Sequence, residues 1–173
     1  LNVASKGAPI RIVSTIWKSG QFGIQTLASS GITSPKGLKG KKVAVPPGSA
    51  MVALMPVFLS ENGLSEDDVE IVSANQNAFL GLLTSGEVDA TAETPENIVV
   101  PLAAQGIKAN NMYFYNNGVP LVSLSLVALD DTLSDNPELI ARFIEATAKG
   151  WQKALKRSIK RIQYQQITGN CGT

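Results

Sequence analysis

Residues 39–50 read Lys39-Gly-Lys-Lys-Val-Ala-Val-Pro-Pro-Gly-Ser-Ala50, and they give the strongest indication of the fold. Its centre, Val-Ala-Val at 43–45, is the continuous apolar run of a strand covered on both faces. Two prolines then end the strand because they cannot donate to a ladder, and Gly48 allows a sharp bend. Ser49 is a favourable N-cap, so a helix should begin after it. The stretch therefore predicts a buried strand, a tight turn and the start of a helix.

The turn at Gly48 and Ser49 also has the features of a binding site for an anionic or strongly polar group. The backbone N–H groups of a first helical turn carry partial positive charge, and the Ser49 hydroxyl adds a further donor. The alternative is that Ser49 only caps its own helix. An isolated Gly-Ser-Ala turn does not decide between these two interpretations.

A strand, loop and helix pattern repeats after this turn. Apolar residues at helical spacing predict a helix that ends at Asn62-Gly63, and further segments follow in alternation. They are a strand at 69–72, a helix at 76–85, a strand at 88–92 and a helix at 97–105, whereas 21–35 reads as an ordered connector. Such alternation predicts an α/β fold with a largely parallel sheet. Ligands bind beyond the carboxyl ends of such strands, where the loops 47–50 and 93–96 lie.

The flanking segments predict further strands and one long helix. Strands are expected at 9–16, 112–115 and 120–129, with a turn at 116–119. Asn136 and Pro137 are typical of an N-cap and a first helical position, and an apolar face continues from there to Leu155. Residues 157–173 are basic and then polar, and they give no clear prediction.

Composition excludes several classes of function. The chain has 173 residues, with 15 basic and 14 acidic side chains, so a net charge of +1 gives no sign of a nucleic-acid partner. It has no histidine and a single cysteine, Cys171. This argues against an intrachain disulfide, a metal centre and most hydrolases, and no cofactor is predicted. No apolar run is long enough for a membrane span, and the first residues do not read as a signal peptide.

Four stretches resemble the solute-binding proteins of bacterial ABC importers, in the branch that handles nitrate, sulfonates, taurine and thiamine pyrimidine precursors. The resemblance runs from about Ala4 to Leu155, and its segments keep the family's order. The stretches are Leu38-Lys-Gly-Lys-Lys-Val-Ala-Val-Pro-Pro-Gly-Ser-Ala50, Phe58-Leu-Ser-Glu-Asn-Gly-Leu64 with Asp68-Val-Glu70, Leu82-Leu-Thr-Ser-Gly-Glu-Val-Asp-Ala90, and Asn136-Pro-Glu138 through Gly150.

The resemblance implies a two-lobed receptor of the periplasmic-binding-protein type, with a mainly parallel sheet flanked by helices in each lobe. On this basis residues 19–127 form one ligand-binding lobe. Residues 1–18 and 128–173 belong to the other lobe, which is incomplete because the family carries a further amino-terminal part before Leu1. The helix at 136–155 would then keep an uncovered apolar face, and self-association through it is expected.

The resemblance also implies a site and its partners. Gly48, Ser49 and Ala50 would hold the head of a small polar or anionic ligand, with Glu93 and Thr94 on the other side of the cleft. Trp17 and Asn117 are weaker additions to this set. A carboxylate at 93 opposes a simple anion, which favours a neutral or amine-bearing molecule such as a pyrimidine. The partner would be an ABC permease, and the location would be periplasmic or extracellular with a lipid anchor.

Two other functions use a similar fold. An enzyme of thiamine-precursor synthesis would need reactive side chains, and the sequence offers no histidine and only a terminal cysteine. An effector-sensing domain of a transcription regulator would follow a helix-turn-helix; this sequence contains none, and an amino-terminal part before Leu1 is where one would lie. A binding protein is therefore the preferred interpretation, and its ligand is not identified by the sequence.

Overall fold

The computed structural model describes residues 6–17, 19–121 and 124–168, with side chains as far as Arg157. Two compact units divide the chain. The central unit is Trp17–Leu124, and the terminal unit joins Leu1–Ile16 to Ser125–Thr173. Cys171 lies outside the described residues, as do Val122 and Ser123 of the predicted strand at 120–129.

The central unit alternates strands and helices as the sequence predicts. Three of its strands are each followed by an α-helix, and the predicted α/β fold is confirmed. The elements are β2 (Gly23–Leu27), β3 (Lys41–Val45), α1 (Ala50–Glu61), β4 (Val69–Ser73), α2 (Phe79–Ser85), β5 (Ala90–Glu93), α3 (Pro95–Ala104) and β6 (Ala109–Tyr113).

The five strands form one mixed sheet in the order β4-β3-β5-β2-β6. β3 pairs in parallel with β4 and β5, which is the part that the repeated strand and helix pattern predicts. β2 runs antiparallel to β5 and β6. The interpretation of 21–35 as a connector was wrong for Gly23–Leu27, because Gln25 and Thr26 read as loop residues yet are fully buried in this strand. Hydrogen bonds from both side chains offset the cost of burying them.

Helices cover both faces of the sheet, and each face has its own apolar core. On one face α1 packs Met51, Met55 and Phe58 against strand residues such as Ile24 and Val43. On the other face the cluster combines α2 and α3 with one residue of β3; its buried members are Ala44, Phe79, Leu83, Val88, Ile98 and Leu102. This packing fixes the positions of the N-termini of α1 and α3, and both N-termini belong to the candidate site.

Ion pairs at the amino ends of the parallel strands match their register. Lys42 lies opposite Glu70 in the β3–β4 ladder, and the two side chains approach to 3.4 Å. Lys39 pairs with Asp68 at 2.9 Å. The backbone N–H of Ser65, and then Lys39, lower the pKa of Asp68 to about 2. Lys41 likewise pairs with Asp89 at 3.4 Å, so each lysine of the basic cluster at 39–42 has an acidic partner. Exposed pairs of this kind add little stability.

The terminal unit contains a two-stranded antiparallel ribbon and two helices. β1 (Ile10–Thr15) pairs with β7 (Ser125–Leu129), with an irregularity between Ile12 and Ser14. α4 (Asp130–Asp135) follows, and α5 (Pro137–Thr168) begins at the predicted first helical position. α5 continues beyond the predicted end at Leu155. None of the helices in the described part of the chain has the length and hydropathy that a membrane span requires.

Large apolar side chains of the terminal unit remain exposed. On the ribbon, Val127 and Leu129 are both 54% exposed. On α5, Phe143 is 59% and Leu155 58% exposed. A two-stranded ribbon with two helices cannot bury all its apolar residues by itself, so this unit carries surface of the kind that partners cover.

Candidate functional site at the carboxyl edge of the sheet

Two turns leave the same edge of the sheet, side by side. β3 and β5 are parallel neighbours, with Val43 opposite Ala90 and Ala44 opposite Thr91. The turn after β3 leads to Ser49 and α1, and the turn after β5 leads to Thr94 and α3. The fold thus brings the predicted residues of the two loops to one edge, as expected for parallel strands.

Two hydrogen bonds from Ser49 fix the conformation of the first turn. Gly48 has a φ of +70°, in the left-handed region that favours glycine, and a Cβ there would meet open space. The Ser49 N–H donates to the Pro46 carbonyl at 3.3 Å, and the Ser49 hydroxyl donates to the same oxygen at 2.7 Å.

Ser49 occupies the predicted N-cap position, but the predicted side-chain cap is wrong. Its hydroxyl braces the turn instead of accepting from the helix. The N–H groups of Ala50 and Met51 consequently have no acceptor among the described residues. Unpaired donors at the start of a 12-residue helix favour an anionic or polar group.

The second turn holds a buried carboxylate. Glu93 is only 7% exposed, and its Oε1 accepts from the Thr94 N–H at 2.8 Å and from Asn97 Nδ2 at 3.4 Å. Its own carboxylate therefore occupies the N-terminus of α3, which favours negative charge. The other oxygen, Oε2, has no donor among the described residues and is not sealed from solvent. Among the described residues, Glu93 takes part in no ion pair.

Behind Glu93 lies a residue that sequence reasoning missed. Gln25 of β2 is fully buried, and its Nε2 donates to the Glu93 carbonyl at 2.8 Å. A glutamine within a short, polar, glycine-rich stretch gives no strand signal, and so its place beside the site could not be inferred. Tyr113, opposite Gly23 at the same edge, has a phenol pKa raised by burial, by Tyr115 and by Glu96.

The hydrogen bonds described for the two weaker candidates join them to other parts of the central unit. Trp17 is 38% exposed, and its backbone N–H donates to the Leu124 carbonyl at 3.3 Å. Asn117 donates to the Tyr113 carbonyl at 2.7 Å, and its own carbonyl accepts from Asn62 Nδ2 at 3.0 Å. Because Asn62 follows the last residue of α1, Asn117 is tied to the end of that helix opposite Ser49.

An apolar groove adjoins the first turn. It has a volume of about 410 Å³ and is bordered by Pro47, Gly48, Val52 and Ile71. A polar turn next to an apolar groove can hold a ligand with a polar head and an apolar body. Among the described residues, no three His, Cys, Asp or Glu side chains cluster as a metal site would require.

Two solved structures with a similar fold are named as binding proteins. The periplasmic aliphatic sulphonate binding protein SsuA of Escherichia coli superposes with a TM-score of 0.72 at 21% identity, over 92% of this chain and 53% of that chain. The alkanesulfonate-binding protein SsuA of Xanthomonas axonopodis pv. citri, bound to MOPS, gives 0.62 at 20% identity, over 96% and 57%. At these identities the likeness establishes the fold.

A sequence relative and a family model complete the comparison. A Brucella abortus protein named as a binding protein is 26% identical over 132 residues, which is 71% of this chain and 39% of the relative. The chain thus spans well under two thirds of the proteins that it matches. A model described as NMT1/THI5 like matches residues 1–158, and the chain belongs to the NMT1/THI5-like family.

Proposed function

We propose that this protein is the solute-binding component of a bacterial ABC importer and captures a small polar or anionic molecule. The observation that carries the proposal is the pair of adjacent turns, one with free helical N–H groups and the other with a buried carboxylate. Membership of the NMT1/THI5-like family and the fold of sulfonate-binding proteins support it. The named function of these neighbours favours binding over a thiamine-precursor enzyme or a regulator domain.

The first turn receives the anionic or most polar group of the ligand. Gly48, Ser49 and Ala50 surround the free N–H groups at the start of α1, and charge-assisted hydrogen bonds to such donors are the strong ones. The adjoining groove of about 410 Å³ accommodates an apolar portion of the same molecule.

The second turn selects against a second anion. Because the Glu93 carboxylate already fills the N-terminus of α3, a ligand group near Glu93 and Thr94 has to be a donor. A ligand with an amine, such as taurine or an aminopyrimidine, meets both requirements. Trp17 and Asn117 are proposed as peripheral contacts.

The rest of the chain has a role in the same proposal. Residues 19–127 form the ligand-binding lobe, and residues 1–18 and 128–173 belong to the second lobe. The partner is an ABC permease in the membrane, and no nucleic acid is involved. The periplasmic origin of the sulfonate-binding neighbours supports a periplasmic location, and an extracellular lipid-anchored form is the alternative.

Ser49 variants test the proposal, with propanesulfonate as the anionic ligand. In the structure the hydroxyl donates to Pro46, so an anion gains only the difference between that bond and its own. Ser49→Ala should therefore weaken binding by about fivefold, near 1 kcal/mol, in titration calorimetry. Ser49→Thr keeps the hydroxyl and should bind as the wild type does.

Ser65→Ala is the matched control for this experiment. Ser65 caps a distant turn through Asp68 at 3.0 Å, and its loss should cost stability without any change in affinity. Absence of propanesulfonate and taurine binding by the wild type would reject the proposed function. Equal affinities of Ser49→Ala and the wild type would show that the Ser49 hydroxyl does not contact the ligand.

We also propose that the apolar face of α5 mediates self-association. Leu139, Phe143 and Leu155 are 46%, 59% and 58% exposed. Sedimentation velocity should show a dimer that Phe143→Ser dissociates, since Phe143 is the largest and the most exposed of these three side chains. Arg142→Ser changes the adjacent exposed position and should leave the dimer intact. A monomer at every concentration would contradict this prediction.

A further inference from the structure

One buried side chain joins three strands of the central sheet beneath the proposed site. Gln25 Nε2 donates to the Glu93 carbonyl on β5 at 2.8 Å and to Asn111 Oδ1 on β6 at 2.7 Å. Gln25 Oε1 accepts from the Thr91 hydroxyl at 3.2 Å. Gln25 itself is 0% exposed. A buried carboxamide is costly unless it is bonded, and here three bonds satisfy it.

The hydrogen bond from Gln25 to the Glu93 carbonyl lies at the end of β5, next to the proposed site. Glu93 is the last residue of β5, and its carbonyl is held by Gln25 where the chain turns toward α3. The same residue sends its carboxylate to the Thr94 N–H at the start of α3. Because Gln25 holds the main chain of Glu93, it also fixes the position from which the Glu93 side chain extends toward α3.

Gly23 makes room for this network. It is the first residue of β2 and pairs with Glu93 on β5 and Tyr113 on β6. A Cβ at Gly23 would lie 2.7 Å from Asn111 Oδ1 and 2.9 Å from the Met112 carbonyl. Any larger residue would displace the carboxamide that accepts from Gln25, so glycine is required here for space.

We infer that Gln25 is a positioning residue for Glu93, and that it sets the ligand affinity of the second turn through the Glu93 main chain. This inference rests on the proposed function for its effect on binding. The geometry of the Glu93 turn can be measured without any ligand. Asn111 meets Gln25 only through its Oδ1, and its Nδ2 is a buried donor without a partner among the described residues.

Two substitutions disrupt this hydrogen-bond network at different residues. Gln25→Met removes the carboxamide at similar volume, and Gly23→Ala displaces Asn111 while Gln25 stays. Thr26→Val is the matched control, because Thr26 is equally buried on β2 but donates to the Ile32 carbonyl at 2.8 Å and faces the opposite side of the sheet.

Amide hydrogen exchange of Thr94, whose N–H donates to Glu93, is the ligand-free measurement. Relative to the amides of the core strands, Thr94 should exchange about tenfold faster in Gln25→Met and Gly23→Ala, as expected for the loss of one net hydrogen bond. It should be unchanged in Thr26→Val. Taurine binding, measured by calorimetry, should weaken by about fivefold in the first two variants only.

The outcomes separate the inference from the proposed function. If Thr94 exchange changes only in proportion to global stability in all three variants, Gln25 is a core residue and the inference is overturned. If Gln25→Met fails to fold, Gly23→Ala alone decides by the same criterion. If Thr94 responds selectively while the wild type binds no taurine, Gln25 does position Glu93 and the proposed function is rejected.

Discussion

Phe58→Ala is expected to lower the free energy of unfolding of the central unit by about 3 to 5 kcal/mol. Phe58 is 0% exposed, and its ring stacks on Phe114 with 4.6 Å between centroids. Removal of the ring leaves a cavity between α1 and the turn after β6, where the sheet cannot collapse to fill it. Urea unfolding followed by fluorescence and circular dichroism measures the change.

Val57→Ala is the control for this prediction. Val57 is the preceding residue of α1 and is 46% exposed, so its truncation should change stability by no more than about 0.5 kcal/mol. A loss below about 1 kcal/mol for Phe58→Ala would contradict the packing described here. The result also concerns the site, since the same helix presents the free N–H groups of its first turn.

The parallel half of the sheet is the part of the fold that local sequence determines. Val-Ala-Val at 43–45, followed by two prolines and Gly-Ser, specifies a strand, its end and the start of α1 without reference to the rest of the chain. The turns around Gly48 and Glu93 could be assigned to one edge of the sheet for the same reason.

β2 could not be predicted because tertiary hydrogen bonds decide it. Gln25 is acceptable in a central strand only because Glu93 and Asn111 supply partners from distant parts of the chain. Thr26 likewise depends on the Ile32 carbonyl in the turn that follows β2. The direction of the Ser49 hydroxyl was missed for a related reason. Whether a serine caps its helix or braces the preceding turn depends on where the Pro46 carbonyl points, and the sequence does not record this.

Glu93→Gln is expected to abolish the preference of the site for an amine-bearing ligand. Taurine and propanesulfonate have the same shape, and only taurine carries an ammonium group. With Oε2 of Glu93 available to that group, the wild type should favour taurine by about 1.5 to 3 kcal/mol, the value of a hydrogen bond between charged groups. Glu93→Gln keeps the shape and the bond to Thr94 but removes the charge.

In calorimetry, the dissociation constant of the variant for taurine should therefore rise by roughly ten- to a hundredfold, while that for propanesulfonate stays constant or falls. Glu96→Gln is the control, because Glu96 is exposed in the first turn of the same helix and its charge is the same. A long-range charge effect would weaken taurine binding in both variants, whereas direct contact affects Glu93→Gln alone. Equal affinity of the wild type for the two ligands would show that the Glu93 carboxylate serves only as the cap of α3.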